Sequence, residues 1–140
     1  MQALYTASAT ATGGRAGHVR SSDGALDLAL AWPKEIGGAG GSGTNPEQLF
    51  AAGYAACFAQ ALVRAARDRG VSLGSPPAVT AEVGVGRVEN GRLGLTVGLR
   101  TSLHGVDRTQ AEALVAMAHE EICPYSRATR GNVDVRLTVE

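Results

Sequence analysis

The two cysteines of this 140-residue chain, Cys57 and Cys123, are the side chains best suited to covalent redox chemistry. The sequence does not open with a basic segment followed by an apolar stretch, so no export signal is predicted and we expect a cytoplasmic protein. A reducing cytoplasm disfavours a permanent disulfide, and a catalytic or redox-cycling pair is therefore favoured. The two cysteines form no Cys-x-x-Cys motif, which argues against a thioredoxin-like exchange site.

Position alone leaves the roles of the two cysteines open. Cys57 lies within a strongly apolar helical pattern, where a free cysteine usually packs as a small hydrophobe and burial raises its pKa. Gly53 and Ala61, one turn to either side, would leave room for a ligand to approach the sulfur. Cys123 precedes Pro124 and could cap a following helical turn, a position that stabilises a thiolate. This physical reasoning ranks Cys123 as the more activated thiol.

A reactive Cys57 needs a positive charge from elsewhere in the chain. It lies about three turns from the helix start, and the effect of the helix dipole fades within the first turn. Arg15 is the candidate, because the glycines within residues 13–17 would let its guanidinium swing toward a site. His119, four residues before Cys123, could also lie near a thiol. The three histidines show no metal-ligand spacing, and no metal site is predicted.

The hydrophobic pattern predicts one α+β domain over residues 1–140, with elements in the order β-β-β-α-β-β-α-β. The apolar residues Leu26, Leu28, Leu30 and Trp32 alternate with other residues and predict a strand with one buried face. Two turn signals predict hairpins, at residues 22–24 and at Asn90-Gly91. The predicted strands cover residues 4–11, 18–21, 26–32, 79–85, 93–99 and 133–139. A second helix is predicted from about Asp107 to the Cys123-Pro124 pair, followed by a short helical turn.

The first predicted helix has clear ends and an apolar surface. Asn45 is a good N-cap, Pro46 suits the first helical position, and Gly70 fits the position after the last turn. Residues 50–63 are apolar on nearly every side, which predicts a buried helix. The most apolar run of the chain, residues 49–63, is too short to span a bilayer. One modest sheet cannot cover such a helix in so small a chain. We therefore predict a homodimer that shares its central helices.

The bulk composition excludes several function classes. The chain is 44% apolar and 19% charged, has zero formal net charge, and carries its Lys and Arg residues without a basic run. This argues against nucleic-acid and anionic-membrane partners. Residues 38–43 match G-x-G-x-x-G, but no strand leads straight into them and no βαβ unit surrounds them. A nucleotide cofactor is not expected.

Two long segments around the cysteines carry a resemblance. Residues 43–58 read GTNPEQLFAAGYAACF, and residues 123–132 read CPYSRATRGN. They resemble the two cysteine motifs of the organic hydroperoxide resistance (Ohr) branch of the OsmC/Ohr family, and the likeness covers essentially the whole chain. The sister OsmC branch shares the cysteines, whereas Tyr54 and the second segment favour the Ohr branch. The resemblance implies an OsmC-like α+β fold with antiparallel sheets around two central helices, in an intertwined homodimer.

The same resemblance assigns roles to four residues and reverses the physical ranking of the thiols. It implies a thiol-dependent peroxidase in which Cys57 is the peroxidatic thiolate and Cys123 the resolving cysteine, joined in each cycle by a disulfide. Arg15 matches the activating arginine, and Glu47 the carboxylate that holds this arginine. The substrates implied are organic hydroperoxides. A lipoyl dithiol, carried by a lipoylated protein, is the implied external reductant, with no bound cofactor.

Two expectations follow from these roles. Glu47 precedes Cys57 by ten residues on one helix, roughly 15 Å along its axis, so one arginine cannot hold both at close range. We expect Arg15 and Glu47 of one subunit to complete the Cys57 site of the other. Apolar neighbours would favour alkyl or fatty-acyl hydroperoxides over hydrogen peroxide. The expected substrate contacts are Phe50, Tyr54, Phe58, Ile122 and Tyr125.

Three other functions are compatible with parts of the sequence. An OsmC-branch peroxidase would accept a broader range of peroxides. A non-enzymatic redox sensor would form its disulfide slowly and stoichiometrically, without turnover. A cysteine hydrolase using Cys123 with His119 would remain active without Cys57, but it has no evident residue to orient the histidine.

Overall fold

The computed structural model describes all residues from Met1 to Glu140 and confirms the α+β class and the predicted order of elements. Two compact units are present, Met1–Leu49 and Phe50–Glu140, so the single domain over residues 1–140 stays a prediction. The strands are β1 (Ala9–Thr12), β2 (His18–Ser21), β3 (Asp27–Ala29), β4 (Ala78–Arg87), β5 (Leu93–Ser102) and β6 (Asp134–Val139). The helices are α1 (Pro46–Asp68), α2 (Arg108–Met117) and α3 (Pro124–Thr129), and a π-helical segment, Ala118–Ile122, joins α2 to α3.

The first unit contains an antiparallel sheet in the order β1-β2-β3. Its β2–β3 turn is the predicted one: Asp23 accepts a hydrogen bond from the backbone N–H of Ala25 at 3.0 Å, and Gly24 has a φ of 74°. The positive φ explains why glycine stands at this position.

The predicted buried face around β3 is wrong for three of its four residues. Leu30 is 9% exposed, but Leu26, Leu28 and Trp32 are between 36% and 44% exposed. Alternation predicts which side chains share a face, whereas burial also requires a second layer against that face. The Met1–Leu49 unit supplies no such layer of its own.

Helix α1 begins and ends where predicted. Asn45 Oδ1 accepts a hydrogen bond from the backbone N–H of Gln48 at 2.8 Å. At the other end Gly70 has a φ of 65°, and the N–H of Val71 donates to the carbonyl of Ala66 at 2.9 Å. These bonds satisfy backbone groups that a helix end leaves unpaired.

The predicted complete burial of α1 holds on one side only. Six of its 23 residues are buried, among them Tyr54, Phe58 and Leu62, whereas Val63 is 43% exposed. The apolar run alone is too short to span a bilayer, but by length and composition the whole helix is able to cross a membrane, with a mean hydropathy of 1.4 over 18 residues. The core helix of a globular protein has the same properties, and one side of α1 does lie in the core of this chain.

The second unit joins a sheet to helices over one hydrophobic core. β4 and β5 form the predicted antiparallel hairpin, with Val83 opposite Val97 and Gly91 at a φ of 75° in the turn. β6 pairs with β5 in parallel, so the segment from α2 to α3 is the crossover between them. The core contains residues of α1, α2 and β5, including Phe58, Leu62, Leu99, Leu114 and Val115.

Candidate active site

The two cysteines lie side by side in the second unit. Cys57, on α1, and Cys123, between the π-helical segment and α3, place their Sγ atoms 3.5 Å apart, and both are free thiols. Cys123 is 2% exposed, and Cys57 is half-buried. A disulfide bond is about 2.05 Å long, so the sulfurs need to approach by only about 1.5 Å to form one. The two sulfurs are therefore close enough for a disulfide to form with a small movement.

Within the chain alone, Cys57 is not activated. Burial raises the pKa of its thiol to about 11, and the neighbouring Cys123 adds to this rise. A backbone hydrogen bond from Tyr125 acts in the opposite direction and lowers the pKa, but it is outweighed. At neutral pH nearly all of this thiol is protonated. A positive charge close to the sulfur would favour the thiolate and lower this pKa.

The first turn of α3 acts on Cys57, although the sequence suggested that it would activate Cys123. Cys123 is the N-cap of α3, but its side chain makes no capping hydrogen bond. The backbone donor of Tyr125, in the first turn of α3, bonds to Cys57 instead. The ranking of the two thiols from helix-cap position is therefore not supported, because the sulfur that meets this donor belongs to another helix.

A cavity of about 510 Å³ opens at Cys57. Ala61, Ile122 and Pro124 give the cavity an apolar wall next to the sulfur. Arg64 and Arg67, further along α1, also line it. The remaining lining residues are Gln60 and Val63. An apolar wall beside a thiol suits an organic group better than a small polar peroxide.

The predicted substrate contacts occupy different places. Ile122 lines the Cys57 cavity, whereas Phe50 and Tyr125 line a separate cavity of about 370 Å³. Tyr54 and Phe58 are completely buried in the core. Phe50, Tyr54 and Tyr125 form an aromatic cluster with ring centroids 5.7 to 6.1 Å apart. A direct role of these five residues in substrate binding stays a prediction.

The sequence suggested that Gly53 leaves room for a ligand, but in the structure it leaves room for a side chain. A Cβ atom at this position would lie 3.1 Å from Tyr125 Oη and 3.3 Å from Tyr125 Cε2. The Tyr125 ring therefore covers the helix surface at Gly53. Ala61, the other small residue named beside Cys57, does line the open cavity.

Arg15 and Glu47 form a bidentate ion pair in the first unit. Arg15 Nη1 and Nη2 donate to the two carboxylate oxygens of Glu47 at 2.8 and 2.7 Å, and the side chains are 31% and 12% exposed. The hydrogen bonds from Arg15 hold the pKa of Glu47 below its usual range, against the opposing effect of burial. This planar fork-to-carboxylate geometry fixes the direction of the guanidinium.

A buried hydroxyl network lies beside the cysteines, and it was not predicted from the sequence. Tyr54 Oη donates to Ser126 Oγ at 2.9 Å and lies 3.2 Å from Thr129 Oγ1, and His119 Nδ1 lies 3.1 Å from Ser126 Oγ. Burial lowers the pKa of His119. The signal was present: a tyrosine in an otherwise apolar helix needs a partner for its hydroxyl. We call Tyr54, Ser126, Thr129 and His119 the hydroxyl clasp.

The histidine of the alternative hydrolase is directed at Ser126 and makes no hydrogen bond with Cys123. Nowhere in the structure do three or more His, Cys, Asp or Glu side chains cluster as metal ligands would.

The fold and the two facing thiols define an OsmC-like α+β protein with a cysteine pair. A family model described as OsmC-like protein matches residues 38–138. An organic hydroperoxide resistance protein of Xanthomonas axonopodis pv. citri is 53% identical over 97% of this chain and 94% of its own. The organic hydroperoxide resistance protein OhrB of Bacillus subtilis is 46% identical, over 99% of each chain. A crystal structure of an organic hydroperoxide resistance protein from Legionella pneumophila superimposes with a TM-score of 0.92 at 51% identity, over 99% of each chain.

The chain therefore belongs to the organic hydroperoxide resistance proteins of the OsmC/Ohr family, as its two cysteine motifs suggested. This membership supports a redox role in resistance to organic hydroperoxides.

Proposed function

We propose that this protein is a cytoplasmic thiol peroxidase that reduces organic hydroperoxides to alcohols through Cys57 and Cys123. The observation that carries the proposal is the 3.5 Å separation of the two sulfurs, one of which lines a cavity with an apolar wall. Membership among the organic hydroperoxide resistance proteins supports the choice of substrate. The cavity favours alkyl or fatty-acyl groups, for which its wall gives apolar contacts.

In the first step the Cys57 thiolate attacks the terminal oxygen of ROOH. The O–O bond breaks, its electron pair leaves with the RO group, and a proton completes the alcohol. Cys57 is oxidised to a sulfenic acid. A cation beside the sulfur would stabilise both the thiolate and the charge that develops on the leaving oxygen.

In the second step the Cys123 thiol condenses with the Cys57 sulfenic acid. A Cys57–Cys123 disulfide forms, and the sulfenic oxygen leaves as water. An external dithiol then reduces the disulfide by two exchange reactions and is itself oxidised to a disulfide. We assign this role to the lipoyl group of a lipoylated protein, and the cycle needs no bound cofactor.

In this proposal a second subunit activates Cys57. The pKa of about 11 shows how strongly its own surroundings favour the neutral thiol. Arg15 is held by Glu47, and Glu47 lies ten residues before Cys57 on the continuous helix α1, roughly 15 Å away along the axis. In an intertwined homodimer, Arg15 and Glu47 of one subunit would face Cys57 of the other. The exposed side of α1 and the uncovered face of the β1–β3 sheet are surfaces that such a dimer would bury.

The decisive experiment is a turnover assay with tert-butyl hydroperoxide and dihydrolipoamide. Wild type should consume many equivalents of hydroperoxide, Cys57→Ser none, and Cys123→Ser a limited amount before Cys57 is overoxidised. Retained turnover in Cys57→Ser would remove the peroxidase assignment and favour a hydrolase or another thiol. Consumption of a single equivalent by wild type in excess dithiol would indicate a redox sensor. Equal turnover of hydrogen peroxide would indicate the broader OsmC-type specificity.

Subunit complementation tests the position of Arg15. Cys57→Ser and Arg15→Ala proteins are each expected to be inactive or nearly so. In mixed dimers one site combines an intact Cys57 with an intact Arg15 from the partner, and activity should return. If native mass spectrometry shows mixed dimers but no activity returns, Arg15 does not act across the interface.

A further inference from the structure

The hydroxyl clasp ties together the three segments that surround Cys123. Tyr54 belongs to α1, His119 to the π-helical segment, and Ser126 and Thr129 to α3. Ser126 Oγ is the centre of the clasp, since it bonds to both Tyr54 and His119. Thr129 Oγ1 also donates to the backbone carbonyls of α3 at 3.0 and 3.1 Å.

Cys123 lies between the π-helical segment and α3, the two segments that the clasp connects to α1. Its N–H donates to the carbonyl of Ala118 at 2.8 Å, and its carbonyl accepts from the N–H of Arg127 at 3.0 Å. Arg130 donates to the carbonyls of His119 and Glu120, within the π-helical segment, at 2.7 and 2.9 Å. The backbone on both sides of Cys123 is therefore held by polar contacts.

The hydrogen bonds of the clasp fix the position of α3 more narrowly than apolar packing would. Tyr54 and Ser126 have no exposed surface, and Thr129 is 4% exposed, so each hydroxyl is costly to bury unless it is bonded. Hydrogen bonds also depend on direction, which fixes how α3 is rotated against α1. Tyr54 is three residues before Cys57, so the clasp acts within one turn of the reacting sulfur.

We propose that the hydroxyl clasp is a set of positioning residues that keep Cys123 within closing distance of Cys57. The inference rests on the proposed peroxidase function and concerns its second step. Closure of the disulfide competes with a second hydroperoxide, which would oxidise the Cys57 sulfenic acid to an irreversible sulfinic acid. A loosened Cys123 closes more slowly and leaves Cys57 in the vulnerable state for longer. The clasp thus decides how many cycles the protein completes before it is inactivated.

The test measures the ratio of sulfinic acid at Cys57 to Cys57–Cys123 disulfide by mass spectrometry. Thr129→Val removes one clasp hydroxyl, and we expect the ratio to rise about fivefold, as for the loss of one hydrogen bond. Ser126→Ala removes the hydroxyl that bonds to both Tyr54 and His119, and should raise the ratio at least as much. Thr101→Val is the matched control, because Thr101 is equally buried and its hydroxyl donates to the carbonyl of Thr138 at 3.1 Å, on β6. It should lose stability without a change in the ratio. Thr129→Ser keeps the hydroxyl and should behave as wild type.

A second measurement separates the clasp from the peroxidase chemistry. The equilibrium between the Cys57–Cys123 disulfide and dithiothreitol reports the proximity of the two thiols without any hydroperoxide. Thr129→Val should shift it about fivefold toward the thiols, and Ser126→Ala at least as far. Wild-type values of both ratio and equilibrium in these variants would overturn the inference while leaving the peroxidase intact. If wild type consumes no hydroperoxide, the peroxidase proposal fails, and the equilibrium shift alone decides whether the clasp positions Cys123.

Discussion

Removal of the Arg15 side chain should return Cys57 to the inert state that its own chain imposes. Burial raises the pKa of Cys57 to about 11, so at pH 7 only about one thiol in 10,000 would be ionised. A partner arginine that brings the pKa to about neutrality would ionise about half of the thiols. The intrinsic nucleophilicity of a thiolate falls with its pKa, at about 0.4–0.5 logarithmic units per pKa unit. Arg15→Ala should therefore slow alkylation of Cys57 about 100-fold at pH 7.

The assay is alkylation by iodoacetamide as a function of pH, in a Cys123→Ser background so that only Cys57 reacts. The midpoint of the wild-type profile should lie well below that of Arg15→Ala. Arg20→Ala is the control, because this arginine is 66% exposed and pairs with Asp27. In Arg15→Ala the Glu47 carboxylate is left unpaired, and its negative charge could itself raise the pKa of Cys57. The double variant Arg15→Ala/Glu47→Gln lacks both charges, so it shows the effect of losing the arginine alone.

Two outcomes would refute the reasoning about Arg15. The first is a wild-type midpoint near 11, which would mean that no cation reaches Cys57 in the assembled protein. The second is an unchanged midpoint in Arg15→Ala, which would mean that another group activates the thiol.

Three further predictions concern stability. Leu62 has no exposed surface, so Leu62→Ala should lower the free energy of unfolding by about 2–5 kcal/mol in urea titrations, and a loss below about 1 kcal/mol would contradict its place in the core. Gly53→Ala should raise the free energy of unfolding by about 0.5 kcal/mol, because the helix gains propensity and the 40% exposed Tyr125 ring has room to tilt; a net loss would show that the ring is held rigidly. Because the pKa of Glu47 is lowered in the folded state, its stabilising effect is complete above its usual value of 4.5 and is lost as the pH falls through the lowered value. Thermal unfolding of wild type should therefore be more acid-sensitive than that of Glu47→Gln, and parallel curves would refute the linkage.

Features set by short-range chemistry were predictable from the sequence. The cap of Asn45, the stop at Gly70 and the turn at Gly91 each depend on a few neighbouring residues, and all three are present. The raised pKa of Cys57 was also predicted, because an apolar helix around a thiol already implies its desolvation.

Features that depend on distant segments were not predictable in the same way. The exposure of Leu28 depends on whether any layer covers β3, and the parallel pairing of β6 depends on the route of the chain through α2 and α3. The donor that Tyr125 directs at Cys57 joins residues 68 positions apart in sequence. The sequence motifs identified both cysteines, but only the fold shows which thiol meets the first turn of α3.

The π-helical segment before Cys123 has a consequence for how such sites change in evolution. Its wide turn, closed by the bond from the Cys123 N–H to the Ala118 carbonyl, holds one residue more than an α-helical turn. Each residue of an α-helix turns the chain by about 100°. An in-frame deletion of a single codon between Ala118 and Ile122 would leave both cysteine motifs readable in the gene. It would nevertheless point Cys123 away from Cys57, so the residue count of this turn belongs to the active site as much as the cysteines do.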